Sequence, residues 1–211
     1  ILHSAKHAIS ADIPLLGINT GRLGFLASLE WEEMSRIDRV IAGEYIVQER
    51  MLLCVEKNGP MGRTAFLALN DAVISRAASA MMADLAVSLD GQQVNEYRAD
   101  GLIFATPTGS TAYSFSAGGA VIDPSISCIA VTPICPHSPF GRTMIFPADG
   151  VLSVRRRVGG DVYLTVDGEF SELVEPEDFI EIRKAPKALK LVAFKDRTFY
   201  QNLNNKMIGR R

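Results

Sequence analysis

Asn70 and Asp71 stand side by side between two strand-like runs, Thr64–Leu69 and Ala72–Arg76. An amide next to a carboxylate can read a diol, because a ribose offers two hydroxyl donors. The same pair also suits an Asx turn linking two strands. Leu164-Thr-Val-Asp-Gly-Glu169 ends a strand in Asp-Gly, a tight-turn signature that sets Asp167 and Glu169 beside the turn. Between these lies a hydroxyl-rich stretch. Arg98 and Asp100 precede the apolar run Gly101–Ala105, and the run empties into a glycine-bearing turn. Thr106, Thr108, Ser110, Thr111, Ser114 and Ser116 place six hydroxyls within eleven residues, with Ala112 and Tyr113 among them. Such a turn at the carboxyl end of a strand is placed to bind a polar ligand. Tyr113 adds a flat face for a base or amide ring. A Ser/Thr-rich loop with no ligand is the other reading.

A fourth stretch, Gly17-Ile-Asn-Thr-Gly-Arg-Leu-Gly-Phe-Leu26, follows a short apolar run. Its glycines let backbone N–H groups approach a phosphate, which makes Gly17, Asn19, Thr20 and Gly21 phosphate-proximal candidates. A strand-to-helix turn explains the same glycines, and neither a Walker pattern nor G-x-G-x-x-G is present.

The elements that must position these residues fall into two textures. The N-terminal part reads as α/β. Leu2, Ala5, Ala8 and Ile9 space like one helical face, and Ile13–Ile18 is a short apolar run. Ser28 reads as the N-cap of a helix whose apolar face carries Trp31, Met34, Ile37 and Ile41. Glu30, Glu32 and Glu33 suit its first turn, and Gly43 ends it. From about residue 46, short β-prone runs recur: Ile46–Glu56, Leu85–Leu89, Cys128–Thr132, Val151–Arg157, Val162–Val166, Phe179–Arg183 and Leu189–Phe194. Asp90-Gly91 marks a hairpin, and Gly159-Gly160 a loop tip. Ser110–Gly118 suits a loop entering a short, tightly packed helix, and Arg197–Lys206 a final helix. Many short strands with few helices predict layered sheets or a β-sandwich.

Bulk properties exclude several classes. The 211 residues are 47% hydrophobic and 22% charged, with a net charge of −2. That charge gives no reason to expect nucleic-acid binding. No apolar run approaches the roughly 20 residues of a membrane span. The three cysteines, Cys54, Cys128 and Cys135, form no C-x-x-C pair or zinc spacing and read as buried thiols of a cytoplasmic protein. Cys135 stands near His137, but no second pair of ligands accompanies them, so no metal site is expected. The chain starts at Ile1 without a signal-peptide pattern, which suggests that it begins inside a longer protein.

Taken in order, these segments resemble the NAD kinase family. The matching strings are Leu16–Leu26, Leu69-Asn-Asp71, Asp100-Gly-Leu-Ile103, Thr106-Pro-Thr-Gly-Ser-Thr-Ala-Tyr-Ser114, Ser116-Ala-Gly-Gly119, Thr132-Pro-Ile-Cys-Pro-His137 and Val166-Asp-Gly168. The tail Arg197-Thr-Phe-Tyr200, with Leu203 and Lys206, also fits. The resemblance implies a partial α/β domain at 1–45, a β-rich NAD-binding domain at 46–190, a tail at 191–211 returning toward the first domain, and a cleft between the domains. It implies phosphorylation of the 2′-hydroxyl of the adenosine ribose of NAD by ATP or polyphosphate with Mg²⁺, in a homodimer or homotetramer.

By position, Asn70 and Asp71 match the pair that holds ribose hydroxyls. Thr111, Ala112, Tyr113, Ser114 and Ser116 match residues around the dinucleotide, with Thr108 in the same loop. Asp100 matches an aspartate at the nicotinamide end, often of a neighbouring subunit's ligand, and Arg98 a position linked to preference for NAD over NADH. Asp167 and Glu169 sit at a turn approaching the ligand. The family's Gly-Gly-Asp-Gly-Thr motif, whose aspartate is the general base, is not in this sequence, and the resemblance places it just before Ile1. General-base catalysis is worth about 10²–10⁴-fold, so the chain alone is expected to bind NAD weakly and turn over poorly. A non-catalytic dinucleotide-binding subunit is the alternative. Lipid kinases such as diacylglycerol kinases share the glycine motif but not Asn70-Asp71 together with Thr106–Ser114.

Overall fold

The computed structural model describes residues 2–21, 24–77, 81–137, 141–157 and 160–205. Ile1, Arg22, Leu23, Gly159 and Lys206, named above, lie outside the described residues. The chain forms two compact units, Ile1–Arg50 with Lys187–Arg211, and Met51–Pro186.

The first unit opens with α1 (Leu2–Ala11), which buries Ala5, Ala8 and Ile9 as the spacing predicts. Two short strands follow, β1 (Ile18–Asn19) and β2 (Leu29–Glu30), paired in parallel. A 3₁₀ turn, Trp31–Arg36, then leads into α2 (Ile37–Ile41). Here the structure corrects the sequence reading. Glu30, not Ser28, caps the turn, and its N–H donates to the Glu33 carboxylate at 2.9 Å. Ser28 instead donates its hydroxyl to the Val192 carbonyl. The expected apolar face is not buried: Trp31 is 60% and Ile41 80% exposed. The run is a 3₁₀ turn, non-helical at Glu33, passing into a five-residue helix, so no single 3.6-residue face runs from Trp31 to Ile41.

The second unit is built almost wholly of strands. They are β3 (Ile46–Gly59), β4 (Gly62–Ala68), β5 (Asp71–Arg76), β6 (Ala83–Leu89), β7 (Gln92–Ala99) and β8 (Gly101–Ala105). A 3₁₀ turn at Gly109–Thr111 and the single-turn helix α3 (Tyr113–Ser116) interrupt them. Then come β9 (Cys128–Ile134), β10 (Met144–Pro147), β11 (Leu152–Arg156), β12 (Val162–Val166), β13 (Phe170–Val174) and β14 (Phe179–Ala193). The last helix among the described residues is α4 (Phe199–Leu203), capped by Thr198 and Gln201.

Two six-stranded sheets result, ordered β10-β9-β8-β5-β12-β13 and β4-β3-β14-β11-β6-β7. Their shared core takes Ala72 and Ile74 from β5, Leu102 and Phe104 from β8, and Val162, Leu164 and Val166 from β12. Alternation then turns Asp71, Val73 and Ser75, with Tyr163 and Thr165, to the other face of the first sheet. Part of that outer face is closed by Ala117 and Ile122, which pack on Ile103, Ala105 and Ala130.

In the two six-stranded sheets three strands went unread in the sequence: β7, β10 and β13. Each is an edge strand. Edges carry polar residues or proline, which blur the alternation that marks a strand. The two runs Phe179–Arg183 and Leu189–Phe194 are one strand, β14, running through Pro186. Of the three cysteines only Cys128 is buried; Cys54 is half-buried and Cys135 exposed, at a positive φ of 44° in a turn. No helix among the described residues is long and apolar enough to cross a membrane.

Candidate functional site

The site is organised around one turn. Asp167 and Gly168 both take positive φ, 49° and 70°, and reverse the chain between β12 and β13. Asp-Gly is suited to this, since aspartate tolerates the left-handed region and glycine has no Cβ to clash. The turn aims the Asp167 carboxylate at the start of β5. There it accepts the N–H groups of Leu69 at 2.8 Å, Asn70 at 2.8 Å and Asp71 at 3.0 Å. The Asp167 N–H donates back to the Asp71 carbonyl at 3.0 Å.

The hydroxyl-rich turn grips the same segment from its other side. Thr106 donates its hydroxyl to the Leu69 carbonyl at 2.6 Å, and its N–H to the Asn70 carbonyl at 2.9 Å. The Gly109 N–H closes the arrangement on the Thr106 hydroxyl at 2.9 Å. A Cβ at Gly109 would lie 1.9 Å from the Asn70 carbonyl oxygen, so no larger residue fits there. Ser110 donates to the Pro107 carbonyl and accepts the Ile122 N–H at 3.0 Å. The Ser114 hydroxyl lies 2.9 Å from that of Thr132, which in turn meets Thr143. Thr106, Ser110 and Ser114 are fully buried, so their hydroxyls hold the loop together.

A cavity of about 420 Å³ opens beside these elements. Of the residues expected to bind ligand, Asn70, Asp71, Ala112, Tyr113 and Asp167 line it. Val73, Ser75, Thr165 and Gly168 line it too, and sequence reasoning missed them. The first three sit inside strands, where a valine or hydroxyl residue looks like scaffold; only the register places them beside Asp71.

The other candidates lie elsewhere. Thr111 donates to the Thr108 carbonyl at 3.2 Å, and Ser116 and Glu169 are exposed. Asp100 accepts from Arg76 Nε at 2.6 Å, while Arg98 is exposed with Asp84 3.9 Å away. Gly17, Asn19, Thr20 and Gly21 belong to the first unit. There Asn19 donates to Glu30 at 2.7 Å and accepts the Gly21 N–H at 3.3 Å. The Gly17 carbonyl accepts from Ser28 and Leu29, while Thr20 and Gly21 are exposed.

The two cavity carboxylates differ in kind. Asp71 is 6% exposed, and its carboxyl has no hydrogen-bond partner among the described residues. Burial, with Asp167 nearby, pushes it up to about 7. Burial also raises Asp167, but the three backbone N–H groups pull against that rise. Near neutral pH the cavity therefore presents one carboxyl that can donate as well as accept, beside one oriented by the backbone.

Residues 69–194 match the model of the ATP-NAD kinase C-terminal domain. The chain is 42% identical to the NAD kinase of Symbiobacterium thermophilum, the match covering 99% of this chain and 75% of that one. It is 40% identical to that of Carboxydothermus hydrogenoformans, over 98% and 75%. The chain belongs to the NAD kinase family.

Solved structures agree. Yeast NADH kinase complexed with NADH superposes with a TM-score of 0.86 at 29% identity, over 94% of this chain but 59% of that one. An Archaeoglobus fulgidus NAD kinase in complex with ATP gives 0.75 at 31% identity, over 92% and 73%. In this NAD kinase family member the matched region begins at Leu69, the residue where the Asp167 clamp takes hold.

Proposed function

We propose that the cavity beside Asn70 and Asp71 holds a ribose of NAD, and that the chain serves the transfer of a phosphoryl group from ATP or polyphosphate to NAD, making NADP. One observation carries this reading: Asn70 with Asp71, Tyr113 and Asp167 converge from three separate parts of the sequence on one cavity. A ribose presents two hydroxyls that both donate and accept. The Asn70 amide and an Asp71 carboxyl that can donate as well as accept supply complementary partners. The cavity's size suits one nucleoside, within the ordinary range for ligand sites.

In this reading Asn70 and Asp71 take the hydroxyls, Ala112 and Tyr113 bound the ring, and Asp167 holds the backbone that presents them. Thr108, Thr111, Ser114 and Ser116 shape the loop that carries Tyr113. Asp100, held by Arg76, and Arg98 serve the nicotinamide end, in a homodimer or homotetramer that shares its sites. Glu169 stands beside the turn, and Gly17, Asn19, Thr20 and Gly21 are kept for the donor phosphates. Mg²⁺ is read as carried in on the donor phosphates, where it would neutralise their charge. The reaction belongs in the cytoplasm, where both nucleotides are dissolved.

Asp71→Ala tests the reading. Leaving a ribose hydroxyl unmatched in a buried site costs about 1–3 kcal/mol, so calorimetry should find NAD bound roughly tenfold more weakly or worse. An unchanged dissociation constant removes Asp71 from the site. Failure of the full-length protein to form NADP from NAD, ATP and Mg²⁺ would overturn the kinase reading itself.

A further inference from the structure

Asp71, Val73 and Ser75 occupy alternate positions of β5 and line the same cavity. At about 3.3 Å per residue they span about 13 Å, the reach of a nucleoside from its ribose to the far edge of its base. On the neighbouring strand Thr165 pairs with Val73, and Tyr163 with Ser75. The floor thus changes character along its length: carboxyl at Asp71, apolar at Val73, hydroxyl at Ser75, with the Thr165 hydroxyl beside the apolar step. Val73 is 7% exposed. The Ser75 hydroxyl has no hydrogen-bond partner among the described residues, and that of Thr165 makes only a long contact of 3.4 Å with Ser171. Two under-used hydroxyls on a cavity floor are available to a ligand. Gly101, opposite Ser75 in β8, lets the two strands approach closely there: a Cβ would lie 2.5 Å from the Ile74 carbonyl oxygen and 2.9 Å from Ser75.

We infer that Val73, Ser75 and Thr165 are the base-reading floor of this cavity: Val73 lies under the flat ring of the nucleoside whose ribose meets Asn70 and Asp71, and the hydroxyls of Ser75 and Thr165 hydrogen-bond to the ring's polar edge. This rests on the placement of a ribose at Asp71. Tyr113, lining the same cavity, offers its ring to the same base. Both halves of NAD have the required chemistry, since adenine carries an exocyclic amine and nicotinamide a carboxamide. Either supplies an N–H donor and an acceptor to a pair of hydroxyls.

The test compares the parent with Ser75→Ala/Thr165→Val, a pair of near-isosteric changes that remove only the hydroxyls. Binding is measured by calorimetry for NAD, for the dinucleotide with hypoxanthine in place of adenine, and for the one with 3-acetylpyridine in place of nicotinamide. The parent should prefer NAD over at least one analogue, and the variant should lose that preference by about tenfold, the worth of a buried hydrogen bond to a neutral group. Loss against the hypoxanthine analogue puts adenine on the floor; loss against the acetylpyridine analogue puts nicotinamide there. A merely structural role would weaken all three ligands alike. A variant with the parent's preferences intact overturns the base-reading floor while leaving the ribose site standing. A parent that binds none of the three overturns the ribose site, and this inference with it.

Discussion

At Asp71 the fold holds a carboxyl away from water, with no hydrogen-bonding partner among the described residues, beside the carboxyl of Asp167. Its folded pKa of about 7 lies above the usual 3.9 of an unfolded aspartate. Between roughly pH 4 and 7 the folded chain therefore keeps a proton that the unfolded chain has released. Stability from this group falls as pH rises through that window, and the cost is complete above about pH 7. Asp71→Asn removes the charge. The ligand-free variant should melt higher than the parent at pH 8, with the gap closing toward pH 4.5. Thermal unfolding at the two pH values checks it; a gap that does not change with pH would show that Asp71 ionises freely. The sequence disclosed that Asn70-Asp71 could face a diol, because residue types carry that information. It did not disclose that Asp167, which read as a turn residue, also binds the backbone of Leu69, Asn70 and Asp71. That bond spans 96 to 98 residues and no local pattern reports it.

Among the elements, the Thr106–Thr111 turn has little freedom. Gly109 approaches the Asn70 backbone so closely that Gly109→Ala must push apart the turn and the start of β5. Such overpacking against backbone costs about 1–3 kcal/mol or somewhat more. The variant should both melt several degrees lower and bind NAD more weakly, since Asn70 moves with its carbonyl. A loss of stability with unchanged affinity would separate the turn from the site. The density of Ser and Thr here was legible as unusual, and its use was only half legible. Exposed and buried hydroxyls look alike in a sequence, and Thr106, Ser110 and Ser114 turned out to serve the loop. Asp90-Gly91 was the opposite case. Its two positive φ values, 50° and 79°, are what an Asp-Gly hairpin demands, and it joins β6 to β7 as its composition announces.

In the molecule as a whole, central strands such as β8 were legible because burial on both faces leaves an unbroken apolar run, while the edge strands β7, β10 and β13 were not. One ionic cluster ties sheet strands together on a larger scale. Glu56 of β3 accepts from Arg183 of β14 at 2.6 and 3.0 Å, and pairs with Arg63 of β4. The Arg183 guanidinium leads in holding its carboxyl down to about 2. Its contribution is present above about pH 4 and is lost as pH falls toward 2. Glu56→Gln should cost about 2 kcal/mol at pH 7, less than a fully buried pair because both arginines are partly exposed. Denaturant unfolding at pH 7 and pH 3 should show the deficit shrinking in acid, and a constant deficit would mean that packing, not charge, is lost. The Asp167 clamp has a consequence in time as well. A growing chain makes Asn70 and Asp71 nearly a hundred residues before the carboxylate that fixes them. The nascent protein therefore carries the two residues proposed to face a ribose long before it can hold them in place, and their segment is not clamped until the β12–β13 turn has left the ribosome.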